Sequence, residues 1–332
     1  MKKVCVLGAG SWGTALSIVL ANNGNNVSLW TLNKSQKEII NSKRMNDKYL
    51  PNIELHKNIN ATCNLEEAIT NSELIVLAVP SQSIRSVCNN IKKYVSEKQI
   101  IVNSSKGLER ETGLRISEVV LSEIPNARFV VLSGPSHAEE VALNIPTTIS
   151  VASNNLDDAE KVQMFFSNKS FRVYTNPDIV GVELGGTLKN IIAFGAGICD
   201  GVGYGDNTKS ALITRGLAEI KRLGVSLGAN SETFSGLSGM GDLIVTCTSN
   251  HSRNRKAGML IGQGKNLEET LKEVEMVVEG IVATEVAYKL SKKMNIEMPI
   301  THSIYSILYK NMSAKDVVEE LMCRDFKSEV CI

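Results

Sequence analysis

Several large classes of protein are excluded by what this sequence has little of. Of its 332 residues only 5% are aromatic, with two tryptophans, and proline occurs seven times. Neither charge dominates: 36 Lys and Arg stand against 35 Asp and Glu, so no basic excess points to nucleic acid. The seven cysteines (Cys5, Cys63, Cys88, Cys199, Cys247, Cys323 and Cys331) are odd in number and never at C-x-x-C spacing, which argues against a disulfide framework and a zinc site. His56, His137, His251 and His302 are also isolated, so no metal is expected. After Met1-Lys2-Lys3 the chain enters an apolar run that soon meets glycine, too short for a signal peptide's core or a membrane span. The expectation is a cytoplasmic protein.

What is present is enough apolar residue, 43%, for a sizeable core, in a chain whose length suggests two domains. The first informative stretch is Val4-Cys5-Val6-Leu7-Gly8-Ala9-Gly10-Ser11-Trp12-Gly13. Four consecutive apolar residues predict a strand buried on both faces, and Thr14 to Ala21 predicts a helix just after the glycines. In such a strand, turn and helix, Gly8 allows the turn, Gly10 lets backbone N–H groups approach a pyrophosphate, and Gly13 lets helix pack on strand. This spacing is a dinucleotide site in outline.

Further apolar runs at residues 27–30, 74–79, 100–103, 129–133, 147–152 and 171–174 predict more strands, with helices between several of them. The expected fold is α/β: a Rossmann-type domain over 1–177 with a mostly parallel, doubly wound sheet. Residues 33–64 are polar and predict a short helix plus an excursion near the cofactor. At the end of the second strand an acid would select NAD and an arginine NADP, but this chain has Thr31-Leu32-Asn33-Lys34. The cofactor is NADP or NAD, with a slight tilt to NADP from Lys34. The strand over 100–103 runs into Ser104-Ser105-Lys106-Gly107, which aims Lys106 at the carboxyl edge of the sheet where ligands bind.

From Asp178 onward the periodicity is helical, predicting an all-α domain over 178–332. Its first segment carries Gly181, Gly185, Gly186, Gly195 and Gly197 around Lys189 and Asn190. Each glycine inside a helix costs about 1 kcal/mol relative to alanine, so close approach to another backbone or to a ligand is the expected compensation. Lys189 lies mid-helix among apolar neighbours, where a charge is seldom buried unless paired or functional. Ser238-Gly239-Met240-Gly241-Asp242 reads as a glycine turn presenting an acid. Ser252-Arg253-Asn254 sits at a helix start, where N–H groups and a guanidinium suit a phosphate.

Taken together and in order, these residues resemble the bacterial NAD(P)-dependent glycerol-3-phosphate dehydrogenases from the first strand through the last helix. The likeness rests on Gly8-Ala9-Gly10-Ser11-Trp12-Gly13-Thr14-Ala15, Ser105-Lys106-Gly107, Ser133-Gly134-Pro135-Ser136, residues 183–190, residues 238–242, Ser252-Arg253-Asn254 and Val278-Glu279-Gly280. It implies reversible reduction of dihydroxyacetone phosphate to sn-glycerol 3-phosphate for glycerophospholipid synthesis, with Lys189 as the proton acceptor. By position, Lys106, Gly134, Ser136, Lys189, Asp242, Ser252, Arg253 and Asn254 would contact substrate. Ser11, Trp12, Lys106, Ala138, Arg253, Val277 and Glu279 would contact the cofactor beside the glycine turn. Many members carry Arg or His in the place of Thr31 or Leu32, so the usual sign of NADP preference is missing, and His137 stands where an aromatic residue is common.

For Lys189 to accept a proton it must be partly neutral, and desolvation on an apolar helix with a second cation such as Lys106 nearby would favour that state. A β-hydroxyacid-type dehydrogenase shares the helical lysine and asparagine but not the phosphate site at 252–254. A non-catalytic cofactor-sensing module would need neither Lys189 nor Asp242. A homodimer is the assembly to test.

Overall fold

The run Val4 to Leu7 is completely buried because helices cover both faces of the strand it forms, and the same holds for the neighbouring run Leu74 to Leu77. The computed structural model describes residues 1–326 with 328 and 329; Cys331 lies outside the described residues. The strands are β1 (Lys3–Leu7), β2 (Asn26–Trp30), β3 (Met45–Asn46), β4 (Leu50–Glu54), β5 (Ile59–Thr62), β6 (Leu74–Leu77), β7 (Ile100–Asn103), β8 (Arg128–Ser133), β9 (Thr147–Ala152) and β10 (Phe171–Asn176). Among the described residues the main sheet has eight strands in the order β5-β2-β1-β6-β7-β8-β9-β10. From β5 to β8 every pairing is parallel; β9 runs antiparallel to β8, and β10 parallel to β9. The parallel part is the doubly wound order of a nucleotide-binding sheet, reversing direction between β1 and β6.

Alternation along the strands separates the two cores. Val4, Val6, Val76 and Val102 face one layer with the helix Ser11–Asn22, whereas Cys5, Leu7, Ile75 and Ile101 face the other with the helices Ile84–Ile91 and Ile116–Glu123. Burying each such side chain contributes about 1.5–3 kcal/mol. Burial also pushes the Cys88 thiol up to about 12, so this cysteine serves as an apolar filler.

Three local expectations are corrected. The first helix begins at Ser11, so Gly13 lies inside its first turn and not before it. The polar segment 33–64 does hold a helix, Lys34–Lys43, but it also forms the β3–β4 hairpin and contributes β5 to the sheet edge beside β2. The glycine turn at 238–241 is one turn of π-helix, Leu237–Gly241, leading into the helix Asp242–Thr248.

The chain packs as two compact units, Met1–Thr187 with Gly224–Val245, and Leu188–Leu223 with the residues from Thr246 onward. Among the described residues, every regular element of the second unit is a helix. The helix Ile179–Val202 contributes to both. By length and composition it could cross a membrane, but 94% of its most apolar window is buried within the protein.

Candidate active site

In the first unit the carboxyl ends of β1, β6, β7 and β8 lie side by side and run into Gly8, Ala78, Ser104 and Gly134. Gly8 has φ +115°, and a Cβ there would lie 2.5 Å from the Ala78 carbonyl oxygen at the end of the neighbouring strand. A Cβ on Gly13 would overlap the Gly8 carbonyl, so helix and strand meet backbone to backbone. Gly10, in contrast, has nothing within 4 Å of its missing Cβ, and as the N-cap it supplies no side chain to the first N–H groups of the twelve-residue helix. The Trp12 indole Nε1 is buried with no protein partner. An uncapped helix start beside open space, with an orphaned donor next to it, fits the pyrophosphate of a dinucleotide.

The other predicted contacts in this unit have defined partners. Ser11 donates its hydroxyl to the Tyr49 carbonyl at 2.8 Å, which ties the helix start to the β3–β4 hairpin. Lys106 Nζ donates to the Gly134 carbonyl at 2.8 Å and to Asp242 Oδ2 at 2.7 Å, and Ser136 Oγ donates to the same Gly134 carbonyl at 2.9 Å. The structure thus brings Lys106, Gly134, Ser136 and Asp242 together. The carboxylate side chain is 2% exposed and that of Lys106 18%, so this is a largely desolvated pair in which removal of either partner leaves a buried charge. Ala138 opens the short helix Ala138–Ala142 and packs into the core beside the first helix. Thr31, at the end of β2, turns its hydroxyl inward to Gln36 Oε1 at 2.6 Å, while Leu32 projects outward, 84% exposed.

The first two turns of the helix Ile179–Val202 belong to this unit and show what its glycines do. A Cβ on Gly185 would lie 2.6 Å from the Ser238 carbonyl, and one on Gly186 would overlap the Ser133 hydroxyl. Glu183, 6% exposed, accepts from the Ser117 N–H at 2.8 Å, the Ser117 hydroxyl at 2.6 Å and Arg115 Nη1 at 2.9 Å. Burial pushes its carboxyl up, against the downward pull of those Ser117 and Arg115 contacts.

In the second unit Lys189 is 6% exposed, and its Nζ donates to the Thr246 hydroxyl at 2.7 Å. The next residue, Asn190, accepts from Asn254 Nδ2 at 2.9 Å, and Asn254 Oδ1 accepts from the Gly280 N–H at 2.9 Å. A Cβ on Gly280 would lie 2.7 Å from the Asn190 carbonyl, so the Lys189 segment, the start of Arg253–Gly262 and the start of Glu279–Met294 converge. Ser252 caps the helix Arg253–Gly262 by accepting from the Arg255 N–H at 3.2 Å, which leaves its own proton to donate. Arg255 reaches Asp200 Oδ2 at 2.7 Å and Asn250 Oδ1 at 2.9 Å, anchoring the loop before the helix. Arg253 and Glu279 are the first residues of their helices, and Val277 is 48% exposed just before the second. Gly197 and Gly258 meet the backbone of Arg255 and Phe194 respectively. Glycine therefore serves a helix crossing here, the compensation the sequence called for.

Two groups of residues escaped the sequence reading. Thr246, the partner of Lys189, lies 57 residues away and belongs to no motif. Gln36 and Asn46, in the polar segment, both donate to the Ala9 carbonyl inside the glycine turn. Among the described residues, no cluster of three or more His, Cys, Asp or Glu could hold a metal ion.

A parallel sheet reversing at a glycine turn, with an uncapped helix start beyond it, defines the dinucleotide-binding class of α/β proteins. The chain belongs to the NAD-dependent glycerol-3-phosphate dehydrogenase family: the family's N-terminal model matches residues 3–159 and its C-terminal model residues 178–319. It is 54% identical over 329 residues to glycerol-3-phosphate dehydrogenase [NAD(P)+] of Clostridium perfringens, covering 99% of each chain. The crystal structure of glycerol-3-phosphate dehydrogenase from Coxiella burnetii superposes with a TM-score of 0.94 at 39% identity, over 97% of this chain and 99% of that one. The Plasmodium falciparum enzyme of the same name gives a TM-score of 0.90 at 26% identity, over 98% and 97%. The family is one of oxidoreductases using NAD or NADP.

Proposed function

We propose that this chain catalyses the reversible, NAD(P)-dependent reduction of dihydroxyacetone phosphate to sn-glycerol 3-phosphate, in the cytoplasm and for glycerophospholipid synthesis, with Lys189 as the proton-transfer group. The observation that carries the assignment of Lys189 is its placement: an amine almost wholly removed from water, held by the hydroxyl of Thr246 beside a fixed Asn190–Asn254 pair. The turn from Gly8 to Gly13, with Trp12, would hold the dinucleotide, which would supply or accept the hydride at carbon 2.

The chain's own residues handle the proton and the phosphate. In reduction Lys189 as the ammonium donates a proton to the oxygen that develops on carbon 2, and its charge stabilises that oxyanion before transfer. In oxidation the neutral amine takes the hydroxyl proton. Thr246 fixes the direction of Nζ, so little reorganisation is needed at the moment of transfer. Arg253 and the N–H groups at the start of Arg253–Gly262 suit the dianionic phosphate, with Ser252 able to donate as well. In the first unit Lys106 is a cation oriented by Asp242 and the Gly134 carbonyl.

The test is steady-state oxidation of NADH and of NADPH in the presence of dihydroxyacetone phosphate, with ketopantoate and 3-hydroxyacids as alternative substrates. Turnover confined to the triose phosphate supports the reading; turnover of a non-phosphorylated hydroxyacid at equal efficiency overturns it.

A further inference from the structure

The carbonyl oxygen of Ala9, between the first two glycines, is gripped by two side-chain amides from a segment that has no part in the nucleotide motif. Gln36 Nε2 donates to it at 2.7 Å and Asn46 Nδ2 at 3.0 Å, so both of its lone pairs are used. The two amides are themselves joined, Gln36 Nε2 to Asn46 Oδ1 at 3.0 Å. Asn46 Nδ2 also donates to the Thr14 hydroxyl at 2.8 Å, and Thr14 donates to the Gly10 carbonyl at 2.8 Å. Gln36 Oε1 accepts from Thr31 at the end of β2. Every amide hydrogen of Gln36 and Asn46 is therefore used, and Asn46 is 2% exposed and Thr14 wholly buried. A closed network of this kind is rigid, because loosening one member strands a polar group away from water.

We propose that Asn46 and Gln36 are positioning residues for dinucleotide binding: by holding the Ala9 carbonyl inward they aim the Gly10 N–H outward at the cofactor's pyrophosphate. The peptide unit between Ala9 and Gly10 is planar and trans, so its carbonyl and its N–H point in opposite directions. Gly10 lacks the side chain that would otherwise limit rotation of this peptide, and it faces open space. Without the two amides the peptide could turn over and present an oxygen to the phosphates. Tying the turn to the β3–β4 hairpin through Asn46, and to the helix Lys34–Lys43 through Gln36, removes that freedom before the ligand arrives.

The inference rests on the reading that this turn holds the pyrophosphate. The experiment measures dissociation constants of NADH and NADPH by titration calorimetry on the full chain, for wild type, Asn46→Leu, Gln36→Met and the double variant. Neither substitution adds charge near the phosphates. A control, Gln99→Leu, breaks a different buried amide network of the same unit, in which Gln99 Nε2 donates to the Ile69 and Ser72 carbonyls. Each single variant should bind both cofactors about tenfold more weakly, with the KM for dihydroxyacetone phosphate at saturating cofactor unchanged and Gln99→Leu binding as wild type does. Unchanged cofactor affinity in folded variants, loss of only one cofactor, or an equal loss in Gln99→Leu would each overturn the inference. Wild type binding neither dinucleotide would instead overturn the cofactor reading itself. If Asn46→Leu does not fold, Gln36→Met decides, since Gln36 is only half-buried.

Discussion

The Nζ of Lys189 and the hydroxyl of Thr246 are 2.7 Å apart, joining a mid-helix lysine to a residue 57 positions further along the chain. A hydroxyl accepts this hydrogen bond without adding charge, so the contact orients the amine. Replacing Lys189 with Met keeps the length and apolar stem of the side chain and removes the group proposed to transfer the proton. Turnover should fall by about 100-fold or more, with cofactor binding retained. Single-turnover reduction near the wild-type rate would rule out the assignment, and a lowered melting temperature with turnover largely spared would mark the lysine as structural.

Arg253 opens a helix whose cap, Ser252, and whose third residue, Arg255, are both fixed by hydrogen bonds. Neither bond involves the Arg253 side chain, so the helix is expected to stay formed in Arg253→Ala. The KM for dihydroxyacetone phosphate should rise about tenfold or more while the melting temperature stays close to that of wild type. Wild-type affinity for the triose phosphate in this variant would place the phosphate elsewhere.

Cofactor choice is expected to respond at Leu32. The preceding hydroxyl of Thr31 is turned inward to Gln36, whereas Leu32 projects into solvent. An arginine there could reach a 2′-phosphate with no repacking of the core. Leu32→Arg should therefore raise the ratio of kcat/KM for NADPH over NADH. No change in that ratio would show that this loop does not read the phosphate.

A pH effect should arise from Glu219, which is 2% exposed and accepts from the N–H groups of Ile300 at 2.6 Å and Thr301 at 3.0 Å, at the start of the helix Pro299–Lys310. Burial raises its carboxyl from 4.5 to about 7, against the downward pull of those N–H groups. A folded value above the unfolded one means that the native state binds the proton more tightly. This contribution is present in full below the unfolded value and is lost as pH rises through about 7. Glu219→Gln, which cannot titrate, should gain on wild type between about pH 5 and about pH 8 in denaturant unfolding. A constant difference between the two proteins across that range would mean that Glu219 stays ionised throughout.

The chain's local chemistry was enough to determine the glycine turn, the parallel strands and the helical second half. Gly8, Gly10 and Gly13 act within a few residues of one another, and buried parallel strands such as Leu74–Leu77 announce themselves as short apolar runs. The glycines around Lys189 likewise signalled a close approach, although not what was approached. Tertiary structure decided what it was: backbone for two of them, the Ser238 carbonyl for Gly185 and the Arg255 carbonyl for Gly197, and a side chain for Gly186, the Ser133 hydroxyl. It also decided that Lys106 pairs with Asp242, 136 residues on, which local pattern cannot encode because the two are joined only by packing. Asn46 and Gln36 read only as members of a polar helix and excursion near the cofactor, with no role of their own, for the same reason. A buried amide differs from a solvated one only in what the fold places around it, and for these two the fold placed the Ala9 carbonyl.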